Sequence, residues 1–439
     1  MMKTKNSGLW HGITLTALLI AAVMAVLASC DTTTSATGSE VVKTDEIYEG
    51  PIYISNTGSA TVSVIDGKTQ TVTRTIDLSE EVEGNAAQSH FISVTHDGRY
   101  LWVGERQGSA DGRTLVVDLE DGDKVVNNFN HGAHIGQHLS HDGKWLFAVS
   151  GGKGENGEEA GVNYSNSILI YDAVNRDYLG KIDHGSAPHV LETSLDSKTL
   201  WTTNAGGGKV IAYDITALPG TIPQTPSQEI DILGQLQEKY PTQFTANSVT
   251  LHALAVHPLG RHLIVGSFDG GLTTGGGDVI VDIEEGEIIA RIPGRPHNYD
   301  ISPNKKYLLS GESNNPDCEE SEYLSNHQHT SLEGPIVRLV DIDALSGATA
   351  QAGAYEDMDL SLIRVTKTID AGALGGTGGI NHQAYTPDGK FIYVAASAPS
   401  GSTNPNGRVL IVNADTLELV KNIEVGRVPH GVVVPGYGR

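Results

Sequence analysis

The chain has 439 residues, a formal net charge of −24 and two cysteines. This composition excludes a disulfide-stapled scaffold, and the excess of 53 acidic over 29 basic residues excludes a nucleic-acid binder that works through a basic surface. The 52 glycines and 17 prolines, with many β-branched residues, indicate short strands joined by tight turns.

Residues 1–29 have the organisation of a secretory signal peptide. Lys3 and Lys5 precede an apolar run, 13–27, that is too short for a comfortable membrane span. The run ends in Leu-Ala-Ser-Cys, which resembles the lipobox of bacterial lipoproteins, and the resemblance implies cleavage before Cys30 and lipidation of that residue. An ordinary cleavage site or an uncleaved anchor is the alternative.

The lipobox also predicts where the protein resides. We therefore expect residues 30–50 to be a lipidated cysteine and a polar tether, and residues 51–439 to be the folded domain. Because the acidic surface avoids anionic lipid, we expect the membrane to be contacted through the lipid anchor alone. The expected location is the bacterial cell envelope, facing the periplasm or the exterior.

A short apolar segment that ends in Asp or Asn recurs seven times in the folded domain. The copies are VSVID (62–66), TLVVD (114–118), ILIYD (168–172), VIAYD (210–214), VIVD (279–282), VRLVD (337–341) and VLIVN (409–413). Between them lies a strand, a tight turn and a second strand, as in residues 89–105 and 381–397. Each repeat therefore has the strands of one four-stranded propeller blade.

The two ends of the domain each supply part of one blade. Residues 429–434 match the first half of the strand-turn-strand unit, and residues 52–56 match its second half. We therefore predict an all-β, seven-bladed β-propeller whose ring is closed by N- and C-terminal strands that share a blade.

The blade pattern resembles that of the YVTN-repeat propellers over about residues 51–439. This resemblance implies the fold but leaves the function open, because such propellers include enzymes, adhesins and proteins without an assigned role. Residues 314–334 and 349–362 depart from the pattern and are predicted to be loops over one face.

One histidine stands near the start of the first strand in every repeat. These residues are His90, His134, His189, His252, His297, His382 and His430, with His138 as an alternative to His134. The distance to the turn is seven residues in four repeats, six for His382 and eight for His134. Since the first strand of each blade lines the central channel, the histidines are predicted to form a ring at one end of it.

A ring of imidazoles predicts a metal centre. Imidazole suits copper or zinc, and copper has the higher affinity, so zinc is the less favoured ion. Seven donors exceed what one ion accepts, which favours more than one copper. The alternative interpretation is that each histidine is a hydrogen-bonded residue of the strand start.

The predicted ring resembles the multicopper propellers of nitrous oxide reductase and thiocyanate dehydrogenase. Two cysteines are too few for the electron-entry copper domain of the former, so thiocyanate dehydrogenase is the closer analogue. The resemblance implies a copper-dependent oxidoreductase that acts on a small inorganic substrate such as thiocyanate and passes electrons to an external carrier. The competing interpretations are a metal carrier or surface binding propeller without turnover, and a non-metal hydrolase that opens lactones.

Three carboxylates are candidate catalytic residues beside this ring. Glu105 and Glu312 stand at the ends of second strands, and Asp300 lies three residues beyond His297. Each could be a further ligand, a general base towards bound water, or a partner that orients an imidazole. The alternative for each is a solvated loop charge.

Overall fold

The structure is a computed structural model, and it describes most of the folded domain. The described residues are 48–79, 88–105, 112–132, 134–150, 166–185, 187–204, 207–242, 244, 249–269, 277–292, 294–312, 335–350, 360–372, 374, 379–399 and 401–436. The chain divides into two units, Met1–Lys43 and Thr44–Arg439. The predicted signal peptide, Cys30 and the loop 314–334 lie outside the described residues.

The fold is a seven-bladed β-propeller, as the repeats predict. Seven antiparallel sheets of four strands are present. The innermost strand of each sheet lies against the innermost strands of both neighbouring sheets, which closes the ring. We number the blades 1 to 7, and blade 1 contains both ends of the domain.

The inner two strands of each blade form the strand-turn-strand unit of the sequence. From blade 1 to blade 7 the innermost strands are β28 (Pro429–Val433), β4 (Ser89–Val94), β8 (His134–Leu139), β12 (Pro188–Thr193), β16 (Val249–Val256), β20 (Pro296–Ile301) and β24 (Ile380–Tyr385). In the same order the second strands are β1 (Pro51–Asn56), β5 (Tyr100–Glu105), β9 (Trp145–Ser150), β13 (Thr199–Asn204), β17 (His262–Asp269), β21 (Tyr307–Glu312) and β25 (Phe391–Ala396).

The outer two strands complete each blade. The third strands are β2 (Thr61–Asp66), β6 (Thr114–Asp118), β10 (Ser167–Asp172), β14 (Lys209–Asp214), β18 (Gly277–Asp282), β22 (Ile336–Asp341) and β26 (Asn406–Asn413). The outermost strands are β3 (Thr71–Asp77), β7 (Lys124–Phe129), β11 (Asp177–Asp183), β15 (Gln228–Asp231), β19 (Glu287–Ile292), β23 (Arg364–Asp370) and β27 (Leu419–Arg427). All seven copies of the apolar Asp/Asn-ending segment fall on third strands.

Burial explains why the third strands have continuous apolar runs. Every residue of β6 is buried, whereas most residues of β3 are exposed and burial alternates only weakly along that strand. A middle strand has a neighbouring blade on each face, so both of its faces are apolar. Each buried Val, Leu or Ile side chain contributes roughly 1.5–3 kcal/mol to the stability of the fold.

The predicted closure of the ring is confirmed in blade 1. Its strand order is β28-β1-β2-β3, so the last strand of the chain pairs with the first. The Ser55 hydroxyl accepts the N–H of Gly431 at 2.7 Å and donates to the carbonyl of His90 at 2.7 Å, which links blade 1 to blade 2. Closure removes the exposed sheet edges that an open propeller would present.

The inner hairpins turn at residues suited to tight turns. In blade 2, Asp97 accepts hydrogen bonds from the Thr95 hydroxyl and the Arg99 N–H, and Gly98 has φ +75°. Blades 4 and 6 place Ser197 and Lys305 at positive φ in the same turn. These turns fix the register of each hairpin and so fix the residues that reach the channel.

Helix is rare in the described part of the chain. One α-helix, α1 (Ile232–Lys239), follows β15, and the Asp231 carboxylate caps it by accepting the N–H of Gly234 at 2.8 Å. Short 3₁₀ helices span Thr57–Ser59, Asp343–Ala350 and Leu360–Leu362. Among the described residues no helix has the length and apolar character needed to cross a membrane.

Candidate metal-binding channel

The seven innermost strands surround a central cavity of about 690 Å³. All seven run in the same direction along the axis, from a strand start at one end of the cavity to the other end. Six of them end there in a hairpin turn, and β28 ends at the same side beside Pro435. We call these two ends the ring end and the turn end. Residues that line the cavity at the ring end include His90 and His297, and those at the turn end include His96, Pro303 and Pro435.

A one-residue register shift occurs at the start of every innermost strand. In blade 2, Ser89 pairs with Glu105 and Phe91 with Gly104, so His90 is an extra residue. The same shift places His252 between Leu251 and Ala253 in blade 5. A β-bulge re-aims a side chain, and bulges are common beside functional sites. The bulges therefore give the histidines an orientation that is set by the backbone.

Six imidazoles form a continuous row around the ring end. Their ring centroids are 4.1 Å apart for His189 and His252, 4.4 Å for His252 and His297, 6.1 Å for His297 and His382, 4.5 Å for His382 and His430, and 3.8 Å for His430 and His90. We call these six residues the ring histidines. His90, His297 and His430 are buried, and the other three are partly exposed to the cavity.

Five of the ring histidines stand at the same position of the register shift, and blades 3 and 7 differ. In blade 7 the equivalent residue is Asn381, whose amide donates to the carbonyl of Pro429 at 2.6 Å, and His382 follows it. The His382 imidazole still reaches the row. In blade 3 the equivalent residue is Ile135, because His134 pairs with Ser150 one position earlier. The side chain of His134 lies outside the described part of the structure.

A backbone contact sets the tautomer of one ring histidine. Nδ1 of His252 donates to the carbonyl oxygen of His297 at 3.2 Å. A neutral imidazole with its proton on Nδ1 keeps the Nε2 lone pair for a ligand. Metal-ligating histidines are usually held by such a hydrogen bond from the second nitrogen.

The predicted catalytic carboxylates have structural partners. Glu312 accepts the N–H of Arg295 at 3.0 Å and pairs with Nε of Arg338 at 2.9 Å. Asp300 accepts the N–H of Tyr385 at 2.7 Å, which joins blade 6 to blade 7. Both are buried, as is Glu105, which lies level with the ring end because it pairs with Ser89. Of the three, Asp300 lines the cavity.

His138 belongs to a different group from the ring histidines. Its Nε2 lies 3.3 Å from Oε1 of Glu192, and Nε2 of His141 lies 3.2 Å from the same oxygen. All three residues line the cavity, with His138 buried and the other two largely buried. This buried His-His-Glu group could bind a metal ion. Within the described residues it is the one set of three whose ligand atoms lie within 4.8 Å of one another.

The ring histidines do not form such a set as they stand. Several are packed as neighbouring planes, for example His90 and His430, whose rings are 28° from parallel. A row of imidazoles in this arrangement offers pairs of nitrogens around the cavity wall. Rotation of the side chains about their χ angles would be needed for three of them to meet on one ion.

His141 and Glu192 are the functional candidates that sequence reasoning missed. His141 stands at the turn position that Pro303 and Pro387 hold in other blades, so the sequence does not single it out, and the sequence gives no signal for Glu192. The spacing of His138 and His141 could have identified His141 as a candidate. It places the imidazole of His138 on the strand and that of His141 in the turn that follows. Glu192 comes from the neighbouring blade, so the contact between blades had to be seen.

Four other histidines, of which three are buried and His184 is partly buried, have a lowered pKa. Burial lowers the pKa of His131, His184, His257 and His262 from 6.5 to about 4. His131 hydrogen-bonds the Tyr171 hydroxyl at 3.0 Å, and His184 the Tyr213 hydroxyl at 2.8 Å. These imidazoles are neutral parts of the packing at pH 7.

The comparisons with known proteins support the fold alone. No protein-family model and no curated protein matches the sequence. Among solved structures, a functionally unknown protein from Desulfotomaculum acetoxidans is 12% identical with a TM-score of 0.59, covering 88% of this chain and 99% of that one. Hydrazine synthase from Kuenenia stuttgartiensis is 19% identical with a TM-score of 0.55, covering 87% and 99%.

A third similar structure is explicitly a propeller. The β-propeller domain of Cps50 (Swd1) from Myceliophteria thermophila is 15% identical with a TM-score of 0.53, covering 79% of this chain and 90% of that one. At these identities each likeness shows that the chains share a fold.

Proposed function

We propose that this protein is a copper-dependent oxidoreductase of the bacterial cell envelope that acts on a small inorganic substrate. The observation that carries the proposal is the row of six imidazoles around one end of the cavity. Scattered surface histidines would not recur at one register position in five blades. The resemblance to the multicopper propellers supports the same conclusion.

The residues of the ring end suit copper. The donors are imidazoles, which copper prefers, and among the described residues that line the cavity none carries a thiol. Copper bound here would supply reversible one-electron exchange. The acidic chain, with its net charge of −24, raises the concentration of cations around the protein as a whole.

The chain's own residues orient the imidazoles and limit water at the ring end. The bulges set their orientation on the cavity wall, and the His297 carbonyl fixes the tautomer of His252. Phe91 packs edge-on against His90, His382 and His430, with ring centroids 4.5–5.4 Å apart. An apolar ring among the ligands lowers the local dielectric constant and strengthens electrostatic interactions with a bound substrate.

The cavity is large enough to hold a small substrate together with water molecules. Its volume of about 690 Å³ lies within the range of ligand pockets. Thiocyanate is the first substrate to test, since thiocyanate dehydrogenase is the closer analogue. A lipid anchor at Cys30 would hold the enzyme in the envelope, and an external carrier would take up the electrons.

Copper content and turnover test this proposal. The full chain is loaded with copper, copper is counted per chain, and the reduction of an artificial electron acceptor by thiocyanate is followed. The comparison is with His252→Ala/His297→Ala, which removes two ring histidines, and with His96→Ala, an exposed histidine at the turn end. We expect two or more coppers in the wild type and the control, fewer in the double variant, and turnover that falls with copper content.

The other outcomes separate the alternatives. Copper that binds through the ring without turnover on any small inorganic substrate would indicate a metal carrier. Equal copper content in the wild type and a correctly folded double variant would contradict the copper ring and favour a binding propeller.

A further inference from the structure

The group of His138, His141 and Glu192 lies on the cavity wall away from the ring histidines. His138 and Glu192 are three residues further along their strands than the ring position, which is about 10 Å at the rise of a β-strand. His141 lies further still, in the hairpin turn of blade 3. The group therefore stands towards the turn end, and its chemistry is independent of the ring.

The spacing of the three donors matches the coordination sphere of zinc. Ligand bonds of about 2.0–2.1 Å in a tetrahedral site put neighbouring ligand atoms roughly 3.3 Å apart. The measured separations from Oε1 of Glu192 are 3.3 Å to Nε2 of His138 and 3.2 Å to Nε2 of His141. Two of the distances between ligand atoms that a tetrahedral zinc site requires are thus already present.

The protonation of His138 also favours a cation. The backbone N–H of Thr193 donates to Nε2 of His138 at 3.2 Å and to Oε1 of Glu192 at 3.2 Å. Because an N–H can only donate, Nε2 of His138 presents a lone pair and its proton is on Nδ1. The Thr193 hydroxyl also lies 3.0 Å from this nitrogen. A cation bound between Nε2 of His138 and Oε1 of Glu192, which lie 3.3 Å apart, would take the place of the Thr193 contacts.

Contacts between blades 3 and 4 hold the donors in place. The N–H of His141 donates to the Thr193 hydroxyl at 3.3 Å, and the N–H of Asp142 donates to the Ser197 hydroxyl at 2.9 Å. Gly136 lies so close to the carbonyl oxygen of His189 that a Cβ there would collide with it. The two strands that carry the ligands are therefore fixed against each other before any ion binds.

We propose that His138, His141 and Glu192 bind one divalent ion of the zinc class, whose remaining coordination position opens on the cavity. Two imidazoles and one carboxylate with an open position form the ligand set of catalytic zinc sites. The open position takes water or a small anion that enters the cavity. This site does not depend on the copper proposal, since it shares no residue with the ring.

Metal titration of the full chain tests the site. Metal-free protein is titrated with Zn²⁺ against a chromophoric chelator, and the site is identified in the variants His141→Ala and Glu192→Gln. Glu192→Gln keeps a side-chain oxygen and nearly the same volume, so it removes the charge with little effect on folding. The matched controls are His96→Ala, at the equivalent turn of blade 2, and the ring variant His252→Ala/His297→Ala.

The expected result is one Zn²⁺ per chain that the ring variant and His96→Ala retain. Loss of a direct ligand should weaken binding by more than the roughly 10- to 100-fold that follows the loss of a ligand's hydrogen-bond partner. Unchanged Zn²⁺ affinity in folded His141→Ala and Glu192→Gln would overturn the site, whatever the result for copper. Loss of bound Zn²⁺ in the ring variant alone would also overturn the proposed site.

A Co²⁺ spectrum tests the open position. Co²⁺ replaces Zn²⁺ in such sites, and its visible absorption changes when an anion joins the coordination sphere. We expect azide to shift the spectrum of the Co²⁺-loaded wild type and of the ring variant alike. A spectrum that azide does not alter would show that the coordination sphere is closed.

Discussion

Buried histidines in this protein separate into those that pack and those that present nitrogens to the cavity. His257 and His262 lie together in the inner hairpin of blade 5, with ring centroids 5.7 Å apart, and both are almost fully buried. The ring histidines lie at the opposite end of the innermost strands and line the cavity. The same residue type therefore packs in the fold at one position and lines the cavity at another.

The packed histidines predict acid sensitivity. Burial lowers the pKa of His257 and His262 to about 4, while the unfolded chain returns both to about 6.5. Between these values the unfolded state binds more protons, so their contribution to stability is complete above about pH 6.5 and is lost as the pH falls towards 4. In urea denaturation, the urea concentration at the midpoint of unfolding should decrease as the pH is lowered across this range.

The variant His257→Gln/His262→Gln identifies the source of this effect. Its midpoint should be lower at neutral pH and should depend less on pH than that of the wild type. His96→Gln, at an exposed turn, should keep the wild-type dependence of the midpoint on pH. If the midpoint of the double variant depends on pH as strongly as that of the wild type, other groups cause the acid sensitivity.

At the scale of the strand, the β-bulge decides which residue reaches the channel. Sequence spacing identified the fold, the strand order and the histidine near each strand start. It could not distinguish His382, which follows the equivalent position, from His134, which precedes it, because a one-residue slip leaves the same apparent pattern. It also grouped His138 with the ring, since the partner Glu192 is supplied by the next blade.

Blades 5 and 6 are joined by a buried charge network that includes one of the predicted catalytic residues. Arg338 on β22 pairs with Asp278 on β18 at 2.7 Å and with Glu312 on β21 at 2.9 Å. Tyr299 and Ser310 each donate a hydroxyl hydrogen bond to Asp278, at 2.7 Å and 2.8 Å. Glu312 is thereby engaged in holding two blades together.

Removal of the arginine should destabilise the propeller strongly. Arg338→Met leaves two buried carboxylates without their cation, and we expect the free energy of unfolding to fall by about 3–5 kcal/mol. The control Lys306→Met breaks the exposed pair with Asp343, and less than about 1 kcal/mol should be lost. Urea denaturation followed by circular dichroism measures both. A loss in Arg338→Met as small as that in the control would contradict a structural role for the network.

For the whole molecule, stability depends on the closure of the ring by β28. Val432 on this strand is 1% exposed, and it packs with Ile52 and Ile54 of β1. Without β28, strand β1 would become an unpaired inner edge, and the channel wall would lack one of its seven strands.

A chain that ends after Val428 should therefore lose its cooperative fold. We expect broad thermal unfolding and aggregation, because a long apolar edge is exposed. His430→Ala keeps the strand and removes one imidazole, so it should unfold cooperatively like the wild type. Calorimetry distinguishes the two, and a sharp transition in the truncated chain would show that closure is dispensable.

The shared blade also decides on which face the chain enters and leaves the propeller. β28 runs from His430 at the ring end towards Pro435 at the turn end, and the Tyr48 hydroxyl donates to the carbonyl of Pro435 at 3.3 Å. Both termini of the described propeller thus lie on the turn face. A fusion partner or a surface attached through either terminus joins the molecule there, and a soluble partner that docks on the ring face meets neither point of attachment.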